Sequence, residues 1–560
     1  MMRSQRVLTA VRAGALALVL TLAMVPAHAE TAATTAVLQL VPDSAQVAVA
    51  IPPLGKTLDR GTALAKKLAP EDVDIDAEVQ KVLDDLAKDA GVPDAKTLQD
   101  IATARGVDSD APLAVFFDLS ESVVMPEKAA GEDESEDAEE KDAPEPELKE
   151  PKWVLVVGVA DDEKALASLE ELVNEVPELS KEAVKDVAAG DHTIKAYGDM
   201  GYLMFDDKVA VGSVDMLKGV AARITDPAEV RYGTEDLPAG SDTEVAALVY
   251  GKRLLPILEA AAPALETDDE YGPLLDMQLA SLKGMFGADS PDDPMVVTYT
   301  LADDRIALES KIDTATHPGV LEYSGEAQPL RLAPMLPEHT LAFITLRFND
   351  ETRKQMSETL IPAIASATGG DSKQAMAFVP QILELLGEEV TLGVASEKND
   401  FPALVLMLAL KEPESAKGFI KVMAGQYLLP GETHNEVEIN SIAAPSPIQF
   451  SVAMPDDLII ISNNVDVIKG LIDLNKSGGK TDLFANMDPA LPAGTPRYNA
   501  VVLNSALLTD VVIPLSALAG GIPDEFAPVA EVISGSVKEL RLLNEMDGTW
   551  STTKVHALLK

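Results

Sequence analysis

The tetrapeptide LPAG stands at residues 237–240 and again at 491–494, each time ahead of an apolar run, EVAALVYGKRLLPIL and YNAVVLNSALLTDVV. A recurrence of this kind constrains the fold more than local propensity does, because repeated blocks must build the same supersecondary unit twice. With Leu237 set on Leu491, Ala246 meets Ala500, Val249 meets Leu503, Leu254 meets Leu508 and Ile257 meets Val511. Upstream, VGSVDMLKGV (211–220) lies on ISNNVDVIKGL (461–471), each preceded by an Asp pair, Asp206-Asp207 and Asp456-Asp457. WVLVVGVADDEKALASLEEL (153–172) lies on PALVLMLALKEPESAKGFIKVM (402–423), and VPDSAQVAVAI (41–51) on LPEHTLAFITL (336–346). The blocks follow one order in both halves. Two tandem homologous domains are therefore expected, 37–313 and 333–560, joined by a linker over 314–332 that keeps neither helical nor strand periodicity.

One interval breaks the match. Ala114 and Val154 are 40 residues apart, whereas their counterparts Thr391 and Val405 are 14 apart. The surplus is PEKAAGEDESEDAEEKDAPEPELKEP, residues 126–151, acidic and free of aromatic side chains. Such a tract cannot offset its ordering entropy by burial and is expected to be a disordered insert between two strands.

Short apolar runs at Gln46 to Ile51, Leu113 to Leu119, Val154 to Val159 and Val209 to Val211 read as strands buried on at least one face. In DDEKALASLEELV, Leu166, Leu169 and Val173 share a helical stripe behind Asp161 and Asp162. Tight hairpins are expected at the two Asp pairs, at 302–304 and at Asp547-Gly548. In each LPAG, the proline is expected to direct the chain into a strand and Gly240 or Gly494 to permit the turn. The fold class is α+β, with mostly antiparallel sheets and packed helices. This order of turn, strand, helix, Asp-Asp hairpin and VDxxKG helix resembles the exported bacterial family catalogued as domain of unknown function 3352. The resemblance covers nearly the whole mature chain; it implies a compartment and an architecture, and no activity or site residue.

Residues 1–29 carry Arg3, Arg6 and Arg12, an apolar run from Ala13 to Val25 and the small-residue site Ala27-His28-Ala29. That is a secretory signal with cleavage expected before Glu30, followed by a flexible stretch over 30–36. No later run is long and apolar enough to span a bilayer, so a periplasmic or secreted location without an integral span after cleavage is expected. The formal charge of −47 argues against nucleic acid as a partner. The absence of cysteine excludes disulfides, thiolate metal sites and Cys nucleophiles.

The search for chemistry assigns no catalytic, cofactor-binding or metal residue and no cofactor. His192, His317, His339, His434 and His556 lie at no metal-ligand spacing from one another. Ser396-Glu397-Lys398 lacks the Ser-x-x-Lys spacing, and Gly478-Gly479-Lys480-Thr481 follows a helix and lacks the first P-loop glycine, so it reads as a helix C-cap. Asp72, Asp74 and Asp76, Asp268 to Glu270, and Asp292-Asp293 offer oxygen ligands without an EF-hand pattern. They imply weak divalent cation binding at most, and a helix N-terminal role for the first group. The reading of the whole is a non-catalytic binding or scaffold protein of the cell envelope, with an unknown protein or envelope component as partner. Two alternatives stay open: a hydrolase with a loop-assembled site, and a carrier of apolar ligands such as lipids.

Overall fold

In the computed structural model the described residues are 36–69, 73–124, 147–176, 179–228, 243–265, 279, 282–287, 290–302, 304–324, 326–355, 383–396, 401–424, 427–443, 448–487, 489–512 and 534–560. The signal segment 1–29, the first LPAG at 237–240 and residues 126–146 of the insert lie outside them. The chain divides into two units, Met1–Asp268 with Phe286–Ile312, and Asp269–Met285 with Asp313–Lys560.

The first unit runs β1 (Val47–Ile51), α1 (Leu54–Leu68), α2 (Ile75–Asp89), α3 (Leu98–Ala104), β2 (Leu113–Asp118), β3 (Val123–Val124), β4 (Glu147–Leu148), β5 (Lys152–Gly158) and α4 (Asp162–Glu175). It continues through β6 (Lys185–Ala189), β7 (His192–Tyr197), β8 (Met200–Phe205), β9 (Lys208–Ser213), α5 (Val214–Thr225), β10 (Thr243–Val249), α6 (Gly251–Leu265), β11 (Met295–Ala302) and β12 (Arg305–Asp313). Its sheet has the order β6-β7-β8-β9-β5-β2-β1-β10-β11-β12, every neighbour antiparallel. Helix starts follow the side chains: Asp74, Asp161 and Ser213 accept backbone N–H bonds as N-caps, and Thr97 with Asp100 forms a capping box. Alternation sends Ala48, Ala50, Phe116, Val154, Val156 and Ala210 to one face, where Met216, Leu217 and Val220 of α5 close the core.

The second unit runs α7 (Gly319–Ser324), β13 (Gln328–Pro329), β14 (Thr340–Arg347), α8 (Asp350–Gln355), β15 (Leu386–Ala395), β16 (Ala403–Leu410), α9 (Pro413–Ala424), β17 (Leu428–His434) and β18 (Val437–Ile442). Then come β19 (Ser451–Ala453), β20 (Leu458–Ser462), α10 (Val465–Ser477), α11 (Leu483–Asn486), β21 (Pro496–Asn504), β22 (Val537–Asp547) and β23 (Trp550–Leu559). The sheet order is β17-β18-β19-β20-β16-β15-β14-β21-β22-β23, again antiparallel throughout. Its core joins Phe343, Val405, Met407, Ile460 and Val502 to Ile468, Leu471 and Ile472 of α10. Among the described residues no helix is long and apolar enough to cross a membrane.

Position for position the two strand orders coincide, and so does the register. Ala50 pairs Ala114 and Ala246, and Thr345 pairs Thr391 and Ala500. Ala114 pairs Val156, which pairs Ala210; Thr391 pairs Met407, which pairs Ile460. A register slip of one residue would turn every side chain to the wrong face. Each Asp-Asp step is a tight turn with its first Asp at positive φ, 44° at Asp206 and 37° at Asp456.

Three expectations need correction. Residues 314–332 are not a bare linker: they contain α7 and β13, and Leu330 and Leu332 enter the second core. Glu389 fixes them there, its carboxylate accepting the backbone N–H of Arg331 and Leu332, both at 2.8 Å. The insert is not wholly without structure, because Glu147–Leu148 pairs with Val123–Val124. In the second LPAG, Thr495 N–H reaches the Pro492 carbonyl at 3.3 Å. Gly494 neither takes positive φ nor meets a neighbour within 4 Å of a built Cβ, so the turn there does not depend on glycine.

Candidate functional site

The face of the first sheet opposite α5 carries Val115 and Phe117 from β2, Trp153, Leu155 and Val157 from β5, and Val209 and Val211 from β9. Pairing sets them in cross-strand rows: Val115, Leu155 and Val211 are successive partners, and Phe117 faces Trp153. α4 lies over this face, with Ala165, Leu166, Leu169 and Val173 packed near Val209. The end of α2 and the loop after α3 bring Asp89, Ala90, Arg105 and Val107 to the same place. Between these walls is a cleft of about 550 Å³, inside the size range of small-molecule sites.

The loop after α3 is stitched to α4. The Arg105 guanidinium donates to the Glu171 carboxylate of α4 and to the carbonyl of Ala90 at the end of α2. Ser168 Oγ donates to the Arg105 carbonyl at 3.2 Å, and Ala160 and Asp161 N–H donate to the Gly106 carbonyl at 3.0 and 3.2 Å. Gly106 has φ +75°, and a Cβ there would stand 2.5 Å from Ala165 N and Asp161 O; only glycine permits so close an approach. The interior of the cleft is hydrocarbon and aromatic surface. Its charged groups, Asp89, Arg105, Glu171 and Glu175, belong to α2, α4 and the loop after α3, not to the sheet.

Register identifies the corresponding second-unit positions. Val157, Val209 and Val211 become Leu408, Ile459 and Ile461, while Phe117 and Trp153 become Val394 and Leu404. The first unit therefore combines narrow side chains under α4 with two aromatic ones farther along the same face. The second packs Leu408, Ile459 and Ile461 together with Ala416 and Ile420 of α9.

Three of the acidic residues singled out from sequence have structural partners. Asp74 caps α2 through Ala77 N–H at 3.1 Å, Asp76 pairs with Lys66 at 2.6 Å, and Asp292 accepts from Arg253 Nε at 2.7 Å. Asp72 and Asp268 to Glu270 lie outside the described residues. Among the described residues no group of three or more His, Cys, Asp or Glu side chains is placed to hold a metal ion. His434 meets a carboxylate, Asp473, at 2.8 Å. The hydroxyl of Ser477 on the same helix donates to the carbonyls of Asp473 and Leu474 (2.8 and 3.2 Å) and not to the imidazole, so that pair lacks the nucleophile contact a triad requires. Gly478 ends α10 at φ 65°, the C-cap role its sequence implies.

Burial pushes Tyr202 and Tyr250 up to about 12, and the Arg331 guanidinium, bidentate at 2.6 and 2.8 Å, holds Asp457 below the usual carboxylate range. The second unit also buries charge on one face of β22. Arg497 donates to Glu545 at 3.2 Å, Lys554 pairs with the same carboxylate, and Arg541 pairs with Glu539. Register sets Arg541 where the first unit has Val296. Three cations thus share two carboxylates, each cation with a carboxylate partner, a structural role for buried ions.

Fold and cleft together define a class: a mixed α/β protein with largely antiparallel sheets, packed helices and an apolar cleft between sheet and helices. No family model matches the sequence, and no curated protein matches it. Among solved structures, crystal form III of TP0453 is similar at TM-score 0.22 and 12% identity, over 49% of this chain and 78% of that one. Crystal form I of TP0453 is similar at TM-score 0.20 and 9% identity, over 50% and 78%. Likeness at this level carries no argument about fold or function.

Proposed function

We propose that this chain is a non-catalytic binding protein of the cell envelope whose first unit takes an apolar ligand in the cleft between its sheet and α4. The observation that carries the proposal is the cleft itself: about 550 Å³ walled by Val, Leu, Phe and Trp side chains. A surface of that composition recognises hydrocarbon and offers no convergent acid, base and nucleophile to a reacting group. The apolar-carrier reading and the binding-module reading thus meet in one site, and the hydrolase reading gains nothing from it. Export to the periplasm or beyond rests on residues 1–29.

Duplication of a single domain, similar to domain of unknown function 3352, supplies the architecture in this reading. Matching strand order and register support it more strongly than sequence blocks alone, since register is set independently at every strand pair. The substitutions from Val157, Val209 and Val211 to Leu408, Ile459 and Ile461 then mark divergence of one copy toward a ligand space and of the other toward a packed core.

The sequence contains two tryptophans, Trp153 and Trp550, which makes the test direct. In Trp550→Phe protein, fluorescence reports Trp153 alone, and titration with dodecyl maltoside below its micellar concentration should give a saturable blue shift. No shift from this or any alkyl probe would overturn the proposal.

A further inference from the structure

We propose that the ligand of this cleft carries a cationic head on a single apolar chain, an alkylammonium amphiphile by chemistry. The inference rests on the preceding functional reading and adds the ligand class. Four charged side chains lie on the cleft, three of them carboxylates: Asp89, Glu171, Glu175 and the single cation Arg105. Arg105 is already paired: its guanidinium donates to the Glu171 carboxylate and to the Ala90 carbonyl, so its charge is offset within the cleft. With that pair neutralised, Asp89 and Glu175 leave an excess of negative charge beside hydrocarbon walls. Such a mouth attracts a cation and repels an anion. The whole-chain charge of −47 acts in the same direction at long range.

Aromatic surface gives an independent reason for the same sign. Phe117 and Trp153 are cross-strand partners in the cleft wall; Phe117 is buried, so the half-buried Trp153 supplies the aromatic surface open to a ligand. Ring faces attract ammonium groups, more so where water is excluded. The second unit has Val394 and Leu404 at these positions, so the aromatic pair is a property of the unit that holds the cleft. A fatty carboxylate would find the one cation already paired and two further carboxylates, Asp89 and Glu175, on the cleft.

Three probes of equal chain length test this in Trp550→Phe protein: dodecyltrimethylammonium, dodecyl maltoside and dodecanoate, each below micelle formation, followed by Trp153 fluorescence. At low salt the ammonium probe should bind about tenfold more tightly than dodecanoate, the effect of two surface charges, and the gap should narrow in 0.5 M salt, about a 4 Å screening length. Asp89→Asn with Glu175→Gln should remove most of the preference for the ammonium probe over dodecanoate. The Val157→Leu, Val209→Ile, Val211→Ile protein, with a narrower cleft, should respond more weakly to all three, which separates the cleft from nonspecific attraction to an acidic surface. Equal or tighter binding of dodecanoate would overturn the cationic assignment while leaving the apolar cleft standing. Failure of all three probes, or an ammonium response undiminished in the narrowed variant, would overturn both.

Discussion

Narrowing the cleft with the second unit's own residues should stabilise the first unit while weakening ligand binding. The perturbation is Val157→Leu, Val209→Ile and Val211→Ile together, each adding one carbon atom. Full burial of such an increment is worth about 0.8 kcal/mol. Val209 is 3% exposed and already within the packed cluster under α4, whereas Val157 and Val211 are half-buried. Counting the first in full and the others at about half gives a gain of roughly 1.5 kcal/mol. In a unit of this size that is an increase of about 3–6 °C in midpoint. Urea and thermal unfolding followed by Trp153 in Trp550→Phe protein isolates the first unit. The same samples are then titrated with dodecyl maltoside. A loss of about 1–3 kcal/mol would be the signature of overpacking and would mean the space under α4 is not open. Undiminished affinity at higher stability would refute the cleft as the ligand site.

Gly106→Ala should destabilise the first unit by about 2 kcal/mol or more, through a left-handed φ and a Cβ driven against the α4 backbone, and should weaken probe binding in parallel; unchanged unfolding would contradict the stitched loop. Glu545→Gln should cost about 3–5 kcal/mol by stranding the buried Arg497, and Arg497→Met with Glu545→Leu should recover most of it in urea unfolding of the second unit. Asp457→Asn should cost about 0.5–1 kcal/mol at neutral pH, the worth of a partly exposed bidentate pair. Because the folded state depresses the Asp457 pKa, its contribution is complete above the unfolded carboxylate value and is lost as pH falls through the folded one. The variant's deficit should therefore vanish in acid, and a deficit independent of pH would refute the ion pair as its cause.

Much of the fold was legible because period-two alternation and turn chemistry act locally. The Asp206-Asp207 and Asp456-Asp457 hairpins, the Asp161 N-cap and the Leu166, Leu169, Val173 stripe all appear where the sequence places them. Residues 314–332 misled because Leu330 and Leu332 are held in the core by Glu389, a partner 57 residues from Leu332 that no local window contains. The cleft was hidden for a different reason. Alternation assigns Val209 and Val211 to a face, but whether that face is packed or open depends on how far α4 stands off it. The signal available in sequence was comparative: three valines against Leu408, Ile459 and Ile461, with Phe117 and Trp153 against Val394 and Leu404. Arg105 and Glu171 carried none, since their meeting requires the chain path between α3 and α4.

Contact between hydrocarbon and Trp153 is the central claim, and a brominated alkyl chain measures it at close range. Titration of Trp550→Phe protein with a dodecyltrimethylammonium analogue brominated along its chain should quench Trp153 saturably, with the unbrominated probe competing it away and the narrowed variant needing more of the probe for the same quenching. Binding detected by calorimetry without quenching of Trp153 would place the ligand elsewhere and contradict the account.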